Sequence, residues 1–141
     1  MDNIKRKLNC ILLIDDDEAT NFYHKIILEE EGVNVFIQSV KSAKEGLDFL
    51  LSKGEYADCP KPGIIFLDIN MPGMSGWDFI EEYNELSKDI LDRSVVSILT
   101  TSANPDDRER AALIPVVKDF VEKPLTPNAL WKVVNENFAV S

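Results

Sequence analysis

The sequence predicts an α/β domain: a doubly wound, five-stranded parallel sheet made of five successive (βα) units. Three observations lead there. Short β-rich runs alternate with stretches of helical periodicity along the chain. The runs Cys10–Ile14, Ile64–Leu67 and Val95–Leu99 are apolar on both faces, as strands are when helices cover each side of a sheet. Four runs also end abruptly in reactive side chains: Asp15-Asp16-Asp17, Asp68, Thr100-Thr101-Ser102 and Lys123-Pro124. Right-handed crossovers bring such ends to one edge, which is where ligands bind in open α/β sheets.

The first strand covers Asn9 to Ile14. Phe22, Ile26, Ile27 and the residues around Glu30 then recur at helical spacing, and Gly32 stops that helix. Val33, Val35 and Ile37 alternate with polar neighbours and predict a second strand. Ser42 and Glu45 have the spacing of a capping box, opening a helix whose apolar stripe is Leu47, Leu50 and Leu51. Gly54 to Gly63, with Pro60 and Pro62, is a loop. The third strand leads through the tight turn Met71-Pro72-Gly73-Met74-Ser75-Gly76 into a helix carrying Trp77, Ile80 and Tyr83. Ser94 to Leu99 is the fourth strand. Asn104 caps and Pro105 opens a short helix, Asp106 to Leu113, that ends near Pro115. A fifth strand lies near Asp119 to Val121. Thr126-Pro127 opens the last helix, with Leu130, Trp131, Val134 and Phe138 facing inward. Residues 1–141 read as one domain, with a core over about 9–138.

Composition narrows the function classes. At 45% hydrophobic the chain can bury a substantial core. Its 25 acidic and 15 basic residues leave a net charge of -10, which disfavours direct nucleic-acid binding. Cys10 and Cys59 read as reduced thiols, not a disulfide framework. The apolar stretch from Leu8 to Ile14 is too short for a signal peptide and is stopped by aspartates. No run approaches the ~18 apolar residues of a membrane span, so membrane insertion is not expected and the expected location is the cytoplasm.

At the carboxyl edge this topology would let Asp15, Asp16 and Asp68 converge, with Thr100 and Lys123 flanking them. Buried like charges at close range repel, and a cation or a proton relieves them. Clustered carboxylates suit a hard divalent ion such as Mg²⁺, which takes one or two protein carboxylates together with waters and phosphate oxygens. The Lys123 ammonium and the Thr100 hydroxyl suit phosphoryl oxygens. A carboxylate beside Mg²⁺ can accept a phosphoryl group, which makes Asp68, on the middle strand, the nucleophile candidate.

Four stretches, Ile-Leu-Leu-Ile-Asp15-Asp16-Asp17, Phe-Leu-Asp68-Ile-Asn70-Met71-Pro72-Gly-Met-Ser-Gly76, Leu-Thr100-Thr101-Ser and Phe120-Val-Glu-Lys123-Pro124, occur in that order. Together they resemble the receiver domain of two-component response regulators, from about Asn9 to Phe138. The resemblance implies a CheY-like, flavodoxin-like sheet with strand order 2-1-3-4-5. It makes Asp68 the phosphoacceptor, fed by the phosphohistidine of a sensor histidine kinase or a phosphotransfer protein. It makes Asp16 a direct Mg²⁺ ligand, with Asp68 and the Asn70 backbone carbonyl, and gives Asp15 a hold on metal-bound water. Lys123 would pair with the carboxylate or phosphoryl oxygen, Thr100 would bind the phosphoryl group, and Phe120 would be the switch aromatic that turns inward as Thr100 moves. Lys123-Pro124 matches the family's cis peptide.

The resemblance places the output face on the fourth helix, fifth strand and last helix, around Ala111 to Trp131, for a downstream protein target or a homodimer. It implies no enzyme beyond self-phosphorylation and self-dephosphorylation, and no attached effector domain is expected after the last helix. The loop Gly54–Pro62 and Asn-Pro-Asp-Asp after Leu-Thr-Thr-Ser are similar to stand-alone regulators, including those associated with phytochromes. The segment Ala112 to Lys118 departs from the family in lacking a Gly before the fifth strand.

Plainer readings stand beside these. Asp17 is a solvated acid at a helix start. His24 is a surface or half-buried histidine, while Trp77, Tyr83 and Trp131 pack. Thr101 and Ser102 read as turn residues; the alternative places Ser102 at the border of the phosphoryl pocket, where its short uncharged side chain is expected to give slower self-dephosphorylation than in a Ser102→Glu variant. The alternative for Asp16, Asp68 and Lys123 is a salt-bridge cluster. A phosphatase of the haloacid dehalogenase type, with Asp15 as nucleophile and Asp17 as acid/base, is the competing enzyme class. Against it, Ala19 stands where that motif wants Thr or Val, and Asp106-Asp107 precedes Lys123 instead of following it. A flavodoxin-like cofactor carrier lacks its hydroxyl-rich phosphate loop, and the acids would repel a cofactor phosphate.

Overall fold

The computed structural model describes residues 6–101 and 104–139. Five parallel strands, β1 (Cys10–Ile14), β2 (Phe36–Val40), β3 (Ile64–Asp68), β4 (Val95–Thr100) and β5 (Val117–Glu122), pair in the order β2-β1-β3-β4-β5. That is the predicted order, with β1 and β3 in the sheet interior. The side-chain period of two splits each central strand between two cores. Cys10, Leu12 and Ile14 of β1 enter one cluster, while Ile11 and Leu13 enter the other. Ile65 and Leu67 of β3 separate from Ile64 and Phe66 in the same way. Helices α2 (Ala43–Leu50), α3 (Gly76–Asn84) and α4 (Pro105–Ala112) cover the first cluster, and α1 (Glu18–Glu30) and α5 (Pro127–Asn137) the second. The sheet is thus buried on both faces.

Caps set the helix starts. Asp17, Ser42, Ser75, Asn104 and Thr126 each accept a first-turn backbone N–H. At Ser42 the expected box is modified, because Glu45 accepts the N–H of Lys41 at 3.0 Å. The complete box is Ser75 with Asp78, at the start of α3.

Several boundaries move. The second strand begins at Phe36, not Val33. Gly32, at φ 77°, donates to the Glu29 carbonyl, and Val33 donates to that of Leu28. These two bonds are a Schellman motif, so the Val33 N–H closes α1 and is spent before any strand can use it. The Val33 side chain packs in the same cluster as Leu28. The inward stripe of α2 is Ala43, Gly46, Phe49 and Leu50, leaving Leu51 exposed beyond the helix end. On α5 it is Leu130, Val133 and Val134, and the half-buried Trp131 donates its indole N–H to Glu31 at 2.9 Å. A short helix, Lys88–Arg93, precedes β4 and was absent from the sequence reading. Arg6–Lys7 and Phe138–Ala139 form a separate two-stranded pair.

The largest revision is in α1. Its buried face is Asn21, His24 and Leu28, at i, i+3 and i+7, while Phe22 is 65% exposed. The apolar residues put the helix in the wrong phase, because two polar side chains point inward. His24 is 2% exposed, neither surface nor half-buried.

Candidate functional site

The carboxyl ends of β1, β3, β4 and β5 bring the anticipated groups together. One carboxylate oxygen from each of Asp15, Asp16 and Asp68 lies within 4.8 Å of the others. Asp15 and Asp68 are buried and Asp16 is exposed. The two buried acids are held alike. The Asp15 Oδ1 accepts the N–H of Asp17 at 2.9 Å, and the Asp68 Oδ1 accepts that of Asn70 at 3.0 Å. Each Oδ2 then faces Lys123, whose Nζ is 2.5 Å from Asp15 and 3.5 Å from Asp68. The lysine therefore bridges both acids and sits nearer to Asp15.

Burial pushes the Asp68 carboxyl above the usual carboxylate range; the Asn70 N–H and the Lys123 ammonium oppose this, and the Asp15 charge adds to it. Three carboxylates against one ammonium leave an excess of two negative charges. The charge and the hard oxygen donors fit one divalent cation of the Mg²⁺ kind.

Thr100 is fully buried at the end of β4, and its hydroxyl accepts from the Asn70 side-chain amide at 3.4 Å. The Thr100 carbonyl accepts the backbone N–H of Lys123 at 2.7 Å, which ties β5 to β4 beside the acids. Lys123-Pro124 is cis, as expected. Asp17 is the exposed N-cap of α1; the Thr20 hydroxyl and the Ala19 N–H hold its carboxyl below the usual range. Ser102 lies outside the described residues.

Phe120 is half-buried on β5 under Arg108, whose guanidinium carbon is 4.9 Å from the ring centroid. The same guanidinium donates to the Phe120 carbonyl at 3.4 Å. Leu113, the residue that ends α4, is 83% exposed. The sequence reading missed Arg108, although its place four residues after Asn104 on a short helix facing β5 was available.

It also missed His24. The Nε2 accepts the N–H of Leu125 at 3.2 Å, pinning the chain two residues after Lys123. Burial, then the Lys123 charge, hold the imidazole below its ordinary value of 6.5. The unfolded chain therefore takes the proton first, and stability is lost as pH falls below about 6.5. We expect the urea-unfolding free energy to fall between pH 7 and 5.5 with a slope on the order of 1 kcal/mol per pH unit. In His24→Gln that slope should flatten; an unchanged slope would place the titration elsewhere.

The comparisons with known proteins agree on this architecture. The model of the response regulator receiver domain matches residues 11–135. A two-component response regulator from Cytophaga hutchinsonii superimposes with a TM-score of 0.84 at 37% identity, covering 93% of this chain and 97% of the other. Response regulator Rcp1 of Synechocystis is 31% identical over 97 residues, 69% of this chain and 65% of Rcp1. A crystal structure of Rcp1 in its Mn²⁺-bound form matches with a TM-score of 0.71 at 27% identity over 91% of this chain and 90% of that one. The phosphorylated cyanobacterial phytochrome response regulator RcpA matches with a TM-score of 0.72 at 26% identity over 92% and 90%. Among the described residues, no helix is long and apolar enough to cross a membrane.

Proposed function

The chain belongs to the response regulator receiver family, and on that premise we propose that Asp68 is its phosphoacceptor in a two-component phosphorelay. One observation carries the reading. The Asp68 carboxylate ends the central strand with one oxygen fixed by the Asn70 N–H and the other 3.5 Å from Lys123, inside the three-acid cluster. In the reaction an ionised Asp68 oxygen attacks the phosphorus of a phosphohistidine. The O–P bond forms as the P–N bond breaks, and the imidazole leaves with the electron pair and takes up a proton.

Asp16, Asp68 and the Asn70 backbone carbonyl would hold Mg²⁺, with Asp15 acting through a bound water. The ion, when bound, offsets the negative charge that gathers on the phosphoryl oxygens. Lys123 meets the same charge with its ammonium. The Thr100 hydroxyl, which accepts from the Asn70 amide, would donate its O–H to a phosphoryl oxygen. The Mn²⁺-bound form of Rcp1 and the phosphorylated form of RcpA support the metal and the acyl phosphate by likeness.

Phosphorylation adds charge and acceptor oxygens at Asp68, and the loop after β4 is the element it biases. Phe120 follows Thr100, and the face of α4, β5 and α5 carries the change to a downstream protein or to a second copy of this chain. On this reading the donor is a sensor histidine kinase or a phosphotransfer protein, the protein is cytoplasmic, and it catalyses only its own phosphorylation and dephosphorylation. Net charge of -10 gives no support to direct nucleic-acid contact.

The phosphatase reading gains no ground, since Asp17, its acid/base, is committed as a helix cap. The test is incubation with acetyl phosphate and Mg²⁺, followed by peptic digestion in cold acid, which keeps the acyl phosphate intact, and mass mapping of the peptides. One phosphoryl group on the peptide holding Asp68 is the expected result. A group on Asp15, or none, would overturn the assignment.

A further inference from the structure

We propose that Asn21, on the inner face of α1, is a positioning residue that sets Asp16 for cation binding. This rests on the Mg²⁺ reading above. The Asn21 carboxamide is 4% exposed, and its nitrogen donates to the carbonyls of Asp15 and Val40, each at 3.0 Å. The Val40 carbonyl also accepts the Asp15 N–H at 3.2 Å. The ends of β1 and β2 are therefore fastened to each other through one side chain.

The bond to the Asp15 carbonyl is the important one. That carbonyl belongs to the peptide joining Asp15 to Asp16, so fixing it fixes the plane from which the Asp16 side chain departs. Asp15 has its own anchors in Lys123 and the Asp17 N–H. Asp16 is exposed and forms no ion pair among the described residues, so the position of its carboxylate depends on its backbone. A polar residue is also costly here. The Asn21 Oδ1 is buried and has no hydrogen-bond partner among the described residues. A leucine, branched at the same Cγ, would avoid that orphan acceptor, so the two N–H bonds are what the asparagine supplies.

Partners that orient metal ligands commonly change metal affinity about 10- to 100-fold when removed. The test is isothermal titration calorimetry of the full chain with MgCl₂, using Asn21→Leu, Asn21→Ala and Leu130→Ala. Leu130 is fully buried on α5, and its substitution supplies a loss of stability while leaving the Asn21 hydrogen bonds at the β1 end in place. We expect Mg²⁺ affinity to fall about tenfold or more in both Asn21 variants and to stay at the wild-type value in Leu130→Ala. Should Asn21→Ala fail to fold, Asn21→Leu, which keeps the branching at Cγ, decides the matter. Wild-type affinity in a folded Asn21 variant, or an equal loss in Leu130→Ala, overturns the proposal. If the wild type binds no Mg²⁺ at all, the reading of the site fails first, and that outcome is distinct.

Discussion

Asp68→Asn should abolish phosphoryl uptake from acetyl phosphate and from any phosphohistidine donor, and should at the same time make the protein more stable. Both effects follow from one placement. The substitution keeps the shape and the Asn70 contact but removes the anionic nucleophile, and an amide oxygen does not form the acyl phosphate. For stability the sign is fixed by burial, which raises the folded-state pKa of Asp68 above its ordinary 3.8. A carboxyl shifted upward lowers stability once pH rises past its unfolded value, because the ionised form is the one the fold disfavours. Near neutral pH the asparagine removes that cost, while Lys123 keeps its 2.5 Å partner Asp15. A gain of about 1 kcal/mol, roughly 3 °C in Tm, fits the range seen when active-site charge is neutralised. The gain should shrink as pH falls toward the carboxylate range, since the wild-type acid is then protonated as well. Thermal melts of both proteins at pH 7.5 and pH 4.5, without Mg²⁺, check this. A variant less stable than wild type at pH 7.5 would show that Asp68 contributes more through Lys123 than it loses to burial.

The site was more legible in the sequence than its supports were, for a physical reason. A strand buried on both faces shows as a continuous apolar run, so the place where Leu67 gives way to Asp68, or Ile14 to Asp15, marks the carboxyl edge directly. Lys123 and Thr100 follow from the same punctuation. The strands of α/β domains also alternate with capped helices, and Asn104-Pro105 and Thr126-Pro127 gave those starts correctly.

What failed was inference from apolar periodicity where polar groups are inside. Asn21 and His24 are buried because each is hydrogen-bonded to backbone atoms distant in sequence, at Val40 and at Leu125. No local pattern announces such partners. The start of β2 failed differently, since Val33 looks like a strand residue but its N–H closes α1. The short helix Lys88–Arg93 did leave a signal, in Ser87 as N-cap and in the pairs Lys88–Asp92 and Asp89–Arg93 at i,i+4.

Gly76→Ala is expected to be the most damaging methyl group that can be added near the site. A Cβ on Gly76 would lie 2.5 Å from the Ile69 Cα and 2.7 Å from the Asp68 carbonyl oxygen, both backbone atoms with no rotamer to escape into. The Gly76 N–H also donates to the Ile69 carbonyl at 3.2 Å, so α3 begins in direct contact with the chain that leaves β3. Overpacking of a rigid core costs about 1–3 kcal/mol, and backbone neighbours place this case at the upper end, roughly 10 °C in Tm. Relief must come from moving either α3 or the Asp68–Ile69 backbone. The second route displaces the nucleophile, and a shift of about 1 Å at a reacting group can cost on the order of 100-fold in rate. Gly32→Ala is the matched control. Gly32 has a positive φ of 77° but nothing within 4 Å of a new Cβ, and it lies at the far end of α1. It should lose only about 1 kcal/mol, from left-handed backbone strain, and keep the wild-type labelling rate. Labelling rates compared well below both melting temperatures separate the cases. If Gly76→Ala labels as fast as Gly32→Ala, α3 gives way, and the carboxyl end of β3 is stiffer than the helix packed against it.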